Sequence, residues 1–174
     1  MLGFHALSGA DNTGCFSGKG KPSWWKVFDQ SNDDVLNAFV NLMSCIPISD
    51  SNISKIEQFV CKLYSPSTKS NSIADLRWWM FHKKNCQSEK LPPTMDALEQ
   101  AIKRAQHQAN IWANAIIANP EALNPESFGW KIIDNLFHPV MSTLPPAPEA
   151  IVELIKCGCL KSKCESARCK CVAM

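Results

Sequence analysis

Thr94-Met95-Asp96-Ala97-Leu98-Glu99-Gln100-Ala101-Ile102-Lys103-Arg104-Ala105-Gln106-His107-Gln108-Ala109-Asn110-Ile111-Trp112-Ala113-Asn114-Ala115-Ile116 carries the strongest periodic signal in this chain of 174 residues. Met95, Leu98, Ile102, Ala105, Ala109, Trp112 and Ile116 recur at spacings of three and four, the period of one helix face. Pro92 and Pro93 precede the pattern and Pro120 closes it. A helix of this length should run roughly 35 Å. Gln100, Lys103, Arg104, His107, Asn110 and Asn114 are expected away from the apolar seam. Small residues in the seam favour a core helix over a coiled-coil interface.

Working towards the N-terminus, the same period continues. Ala74 to Phe81, with Leu76, Trp78 and Trp79, is a helix candidate. Ser65 to Ser72 has loop composition. Ile53, Ile56, Phe59, Val60 and Leu63 share one helical face. Val35, Leu36, Phe39, Val40 and Met43 share another, with Ser31 as its expected N-cap and Asp33 and Asp34 as its helix-start charges. Pro22 suits the first turn of a short aromatic helix containing Trp24, Trp25, Val27 and Phe28. One member of each tryptophan pair, Trp24/Trp25 and Trp78/Trp79, is expected in the core, although such rings could also stack bases. Met1 to Leu7 reads as the end of a buried strand. Towards the C-terminus, Asn124 to Pro148 reads as Pro-rich and irregular, anchored by Trp130. Glu149 to Ile155 reads as a last short helix.

The fold expected is therefore mainly α: a helical bundle with an N-terminal strand-and-turn remnant and a cysteine-rich tail. Three segments are expected, 1–30, 31–155 and 156–174. Composition agrees with one globular core, at 45% apolar and 20% charged residues. Net charge is only +2, so a surface that binds polyanions everywhere is excluded. Basic character gathers at both ends instead, in Lys19, Lys21 and Lys26 and again in the tail. No apolar run approaches the about 18–20 residues of a membrane span, so no membrane partner is expected. The histidines His5, His82, His107 and His138 show no pairing with Cys, Asp or Glu, and no Walker or nucleophile-elbow motif is present. Of the nine cysteines, Cys15, Cys45, Cys61 and Cys86 are scattered and expected as buried free thiols, with zinc ligation or disulfides as alternatives.

The other five, Cys157, Cys159, Cys164, Cys169 and Cys171, follow C-x-C-x4-C-x4-C-x-C. Thiolates at i and i+2 can grip one soft cation, and Zn2+ is the usual one. Lys156, Lys161, Lys163, Arg168 and Lys170 surround them against the single acid Glu165, which favours thiolates and leaves a positive surface once metal binds. The spacing resembles the tesmin-type CXC family of DNA-binding domains, and Cys159-Leu160-Lys161-Ser162-Lys163-Cys164 follows its C-x-x-S-x-C step. The resemblance implies zinc held by these cysteines and DNA contacted by Lys161, Lys163, Arg168 and Lys170. Arg168 stands where the family places a groove-reading aromatic residue. Only one of the family's two halves is matched. One zinc takes four ligands, which the outer pairs Cys157/Cys159 and Cys169/Cys171 supply with Cys164 to spare, so about one tight zinc per chain is expected. Disulfides and an unligated tail are the alternatives.

Near the N-terminus, His5-Ala6-Leu7-Ser8-Gly9-Ala10-Asp11-Asn12-Thr13 leads into Phe16-Ser17-Gly18-Lys19-Gly20-Lys21. A Gly-x-Gly turn with lysines at a helix start can present N–H groups and charge to a phosphate, or simply be a turn. Residues 3–28 resemble the step in flap endonucleases (XPG-type, PIN-like) where a strand ends in G-x-D and a G-x-G turn opens a DNA-clamping helix. The resemblance implies that Asp11 is a divalent-metal carboxylate, for Mg2+, and that Gly18, Lys19, Gly20 and Lys21 hold a DNA backbone. The chain is also similar to mobile-element-derived proteins of animal genomes that join a nuclease-like core to a cysteine-rich end. Leu91-Pro92-Pro93-Thr94, Gly129-Trp130 and Leu144 to Pro148 fit that pattern too, while Ala10 replaces the usual Cys.

Two-metal hydrolysis needs several carboxylates converging on ions about 3.5–4 Å apart, and that family supplies most of them upstream. Met1 is thus expected to be an internal or mispredicted start and Met174 a premature end. The expected function is nucleic-acid and zinc binding by a nuclear protein fragment without catalysis of its own. A flap-endonuclease-like nuclease, active only with an added N-terminal half, is one alternative. A non-functional helical remnant is the other.

Overall fold

The computed structural model describes residues 1–84 and 86–144. Along the chain come α1 (Leu2–Leu7), α2 (Lys21–Asp29), α3 (Asp33–Asn41), α4 (Asp50–Tyr64), α5 (Ile73–Lys84) and α6 (Met95–Ala113). A 3-10 turn at Pro125–Phe128 then leads into an antiparallel hairpin, β1 (Trp130–Ile133) with β2 (Leu136–Pro139). The described chain is mainly helical, as the periodicity implies. The expected Glu149–Ile155 helix and cysteine tail lie outside the described residues.

Helix α6 is the centre of the packing. Leu98, Ile102, Ala105 and Ala109 are all 0% exposed, and Thr94 caps the helix by accepting from the Ala97 amide at 3.2 Å. The helix stops at Ala113, earlier than the apolar pattern suggests, and Ile116 is exposed. Asn114 is the C-cap residue: its amide keeps the helical bond to the Asn110 carbonyl at 3.0 Å, and its Nδ2 donates to the same carbonyl at 2.9 Å and to Asn110 Oδ1 at 3.1 Å. A side chain folded back onto the last turn in this way suits a helix end better than a helix interior. Nineteen residues therefore span about 28 Å.

Residues Leu2–Leu7 form a helix where a strand was expected. Gly3 explains how it docks. A Cβ there would lie 2.2 Å from the Phe39 carbonyl oxygen, so α1 approaches α3 closely only because residue 3 lacks one. Phe4 and Leu7, three apart, then point into the core. Around them an aromatic cluster fills the space between α1, α2, α3 and α4. Trp24 stacks on Phe16 at 5.4 Å and meets Phe59 at 5.2 Å, and Phe39 meets Phe59 edge-on at 5.0 Å.

Three further corrections concern local signals. The α3 cap is Asn32, not Ser31: Asn32 Oδ1 accepts from the Val35 amide at 3.2 Å. On α3, Val40 faces solvent, while Ala38 and Leu42 share the core with Val35 and Phe39. The segment expected to be irregular contains the hairpin, whose turn residues Asp134 and Asn135 have φ of 50° and 61°. Asp and Asn tolerate that left-handed region, and two of them between apolar strands make a tight hairpin turn.

Candidate nucleic-acid interface

The Ser8–Lys21 segment is shaped by a few local bonds. Gly9, at φ 106°, turns the chain out of α1. Ala10 and Thr13 exchange backbone hydrogen bonds at 3.3 and 3.1 Å. The Thr13 hydroxyl donates to the Ala6 carbonyl at 2.6 Å and accepts from the Ala10 amide at 3.0 Å. Asp11 and Asn12 are left at the exposed tip of this turn. The carboxylate is thus displayed by a tight turn after a helix, not by the end of a strand. Downstream, Gly18 at φ 67° allows the Lys19 amide to reach the Phe16 carbonyl, and Gly20 caps α2 with Pro22 in its first turn.

Together these residues enclose an open concavity of about 640 Å3, with Asp11, Lys19 and Lys21 among its lining. Lys21 Nζ donates to the Gly9 carbonyl at 2.6 Å, to His5 Nδ1 at 2.9 Å and to Ser8 Oγ at 3.3 Å. An ammonium group has three donors, so this lysine closes the segment onto α1. Its contact with Nδ1 places the His5 proton on Nε2, and the imidazole itself stacks on Trp112 at 5.2 Å. Lys19 Nζ sits 4.8 Å from the Tyr64 ring centroid, and burial lowers its pKa. Both ammonium groups therefore face neutral partners. Pro22 has no amide proton, and the Ser23 and Trp24 amides bond the Gly20 carbonyl. The helix start offers an anion the amides of Gly20 and Lys21.

Asp11 is the one carboxylate among the described residues that lines the concavity. Among the described residues, no group of three or more His, Cys, Asp or Glu is placed to hold a metal ion. Asp33 and Asp34 open α3 as expected, and Asp34 pairs with Lys55 at 3.4 Å. His107 is half-buried against Phe128, and burial lowers its pKa. Cys61 is buried and its thiol is pushed up to about 12, first by burial and then by Glu57 and Asp75. Cys86 is partly buried, but Cys15 and Cys45 are exposed, contrary to expectation, and all four thiols are free. Cys157, Cys159, Cys164, Cys169, Cys171, Lys161, Lys163, Arg168 and Lys170 lie outside the described residues. No helix among the described residues is long and apolar enough to cross a membrane.

The tryptophan pairs divide. Trp24 is buried and Trp25 half-exposed, as expected. Trp78 and Trp79 are both at the surface, 61% and 37% exposed. Their positions were readable in part from the sequence. Ile73, Leu76 and Met80 already make a complete inward stripe at spacings of three and four, and these three are buried. Comparison with family models, curated proteins and solved structures finds no match for this chain.

Proposed function

We propose that this chain is a nucleic-acid-binding, zinc-binding fragment of a mobile-element-derived protein, and that it does not cleave DNA by itself. The observation that supports this reading best is the Ser8–Lys21 concavity, which is lined by two ammonium groups, neither ion-paired, against the single acid Asp11. A net positive charge in a concave surface attracts phosphate, and phosphate releases counterions when it is bound. Such contacts position a backbone and carry no sequence information. The cysteine segment would add Lys161, Lys163, Arg168 and Lys170 around zinc, and a DNA partner implies a nuclear location.

The test is a titration of the full chain with labelled single-stranded and duplex DNA at several salt concentrations. Lys19→Ala with Lys21→Ala should weaken duplex binding and lower the salt slope by up to about 1.8, or about 0.9 per phosphate contact. Lys21 also closes the segment onto α1, so Lys21→Arg and circular dichroism accompany it to separate charge from folding. Absence of binding by the wild-type chain at low salt overturns the reading. Cutting of flap or single-stranded DNA in Mg2+ that disappears in Asp11→Asn would overturn its non-catalytic part, in favour of the nuclease alternative.

A further inference from the structure

The surface of α5 and the loop before it form a second place with the composition of a ligand site. A cleft of about 710 Å3 separates them, with Ser67, Thr68 and Lys69 on the loop side and Trp78 and Trp79 on the helix side. That volume is within the usual range for small-ligand sites, about 300–1,000 Å3. The loop wall is ordered by its own bonds. Thr68 Oγ1 accepts from the Ser70 amide at 3.1 Å, Ser70 Oγ accepts from the Ser72 amide at 3.2 Å, and the Ile73 amide reaches Glu57 at 2.8 Å. A wall held in place before binding loses little entropy on binding.

The chemistry of the two sides differs in a useful way. The helix side is aromatic. The flat imidazole of His82 already lies against Trp78, with ring centroids 5.0 Å apart and planes at 26°. This is the kind of contact a nucleobase makes. Lys84 Nζ stands over the Trp79 ring at 4.5 Å, so a cation and an aromatic face are presented together. The loop side offers hydroxyls and the exposed Lys69, which suit phosphate and sugar. From Ser65 to Lys84 the chain carries Lys69, Arg77, Lys83 and Lys84 against Asp75 alone. Arg77 is engaged with the Pro92 carbonyl, but Lys69, Lys83 and Lys84 are exposed. Asp75, which also lines the cleft, repels phosphate and accepts from base amino groups.

We propose that this cleft binds single-stranded nucleic acid, with unpaired bases stacked on Trp78 and Trp79 and the backbone along Lys69. Aromatic rings with interleaved lysines are what a sequence-tolerant single-strand site requires. Bases in a duplex are already stacked on one another and do not reach such rings. A purely apolar protein partner fits less well, because one wall is hydroxylic and the rim is basic. The inference rests on the reading of the chain as a nucleic-acid binder and adds a site independent of the Ser8–Lys21 concavity.

The experiment uses the full chain with a short oligothymidylate and a duplex of the same length. Oligothymidylate should quench tryptophan fluorescence. Trp78→Ala with Trp79→Ala should weaken single-strand binding by about 5- to 150-fold for each base stacked and leave duplex binding unchanged. Trp78→Phe with Trp79→Phe should keep most of the affinity, because phenyl rings still stack. Lys69→Ala should lower the single-strand salt slope by about 0.7. Both tryptophans are surface residues, and an unchanged melting temperature confirms the fold. If the alanine variant binds single strands as well as wild type while duplex binding persists, the inference is overturned alone. If it loses both forms equally, stacking is not the cause and the inference is again overturned. If wild type binds neither form, the inference and the broader reading go together. A wild-type dimer in sedimentation that the alanine variant abolishes, without nucleic-acid binding, would assign this face to a second copy of the chain.

Discussion

Gln106, on the middle of α6, is 0% exposed. Its Nε2 donates to the carbonyls of Ser44 at 3.0 Å and Ile46 at 2.5 Å, and its Oε1 accepts from the Ile48 amide at 3.1 Å. All three partners belong to the segment between α3 and α4, which contains Pro47 and has no ladder of its own. Asn110 extends the pattern by donating to the Met43 carbonyl at 3.1 Å. One helix thus supplies through its side chains hydrogen bonds to a partly buried irregular backbone. We predict that Gln106→Leu, close in size but unable to bond, lowers stability by about 2–4 kcal/mol, since each unsatisfied buried group costs about 1–3 kcal/mol. Urea denaturation checks this, and a loss below about 1 kcal/mol would mean that the segment finds other partners. Gln100, Arg104 and Asn110, expected away from the apolar seam of α6, are each buried. Polarity alone cannot show this. The partners of Gln106 and Asn110 are some sixty positions away in the chain, and those of Arg104 are 25 and 36 away, and a polar residue inside looks the same in sequence as one outside.

Elements show the same division between local and distant causes. Helices α2, α4, α5 and α6 follow apolar periods that neighbouring residues set among themselves. The hairpin has a local turn signal in Asp134-Asn135, yet a two-stranded hairpin is at best marginally stable alone. Its anchor is Arg104 of α6. The buried guanidinium donates to the carbonyls of Gly129 and Val140, at the two ends of the hairpin, which are themselves joined by the Val140 amide and the Gly129 carbonyl at 2.9 Å. Gly129, at φ 76°, passes so close to α6 that a Cβ would meet the Gln100 carbonyl at 2.9 Å. We predict that Arg104→Met leaves α6 folded and releases the hairpin. Hydrogen exchange should then show protection lost across Trp130–Pro139 and kept across Leu98–Ala109. Equal loss in both would show that Arg104 supports the core as a whole. Helix α1 belongs to the same class of effect, since six residues make no stable helix in isolation and its form comes from docking on α3 and α6.

For the molecule as a whole, residues Met1–Thr143 make one unit with its own apolar core, from Phe4 and Trp24 through Ile56 and Phe59 to Ile102. Burial on that scale is enough to fold a helical body without metal. The cysteine segment has few apolar residues, so its order would have to come from zinc–thiolate bonds. We predict about one tight zinc per chain by metal analysis, and far-UV helicity nearly unchanged by a chelator. A cooperative loss of helix on chelation would show that the body depends on the metal. What the chain settled by itself was helical character: the three-and-four spacing of Ile53 to Leu63 and of Met95 to Trp112 is a relation among near neighbours, and no distant contact is needed to read it. It also marked the loop at Ser65–Ser72 and the helix-start charges Asp33 and Asp34. Only tertiary packing decided that Leu2–Leu7 is helical, that Gln106 and Arg104 turn inward, and that Lys21 closes onto His5, Ser8 and Gly9. Each of those outcomes depends on which distant segment lies opposite, and burial and hydrogen bonding are properties of that pairing.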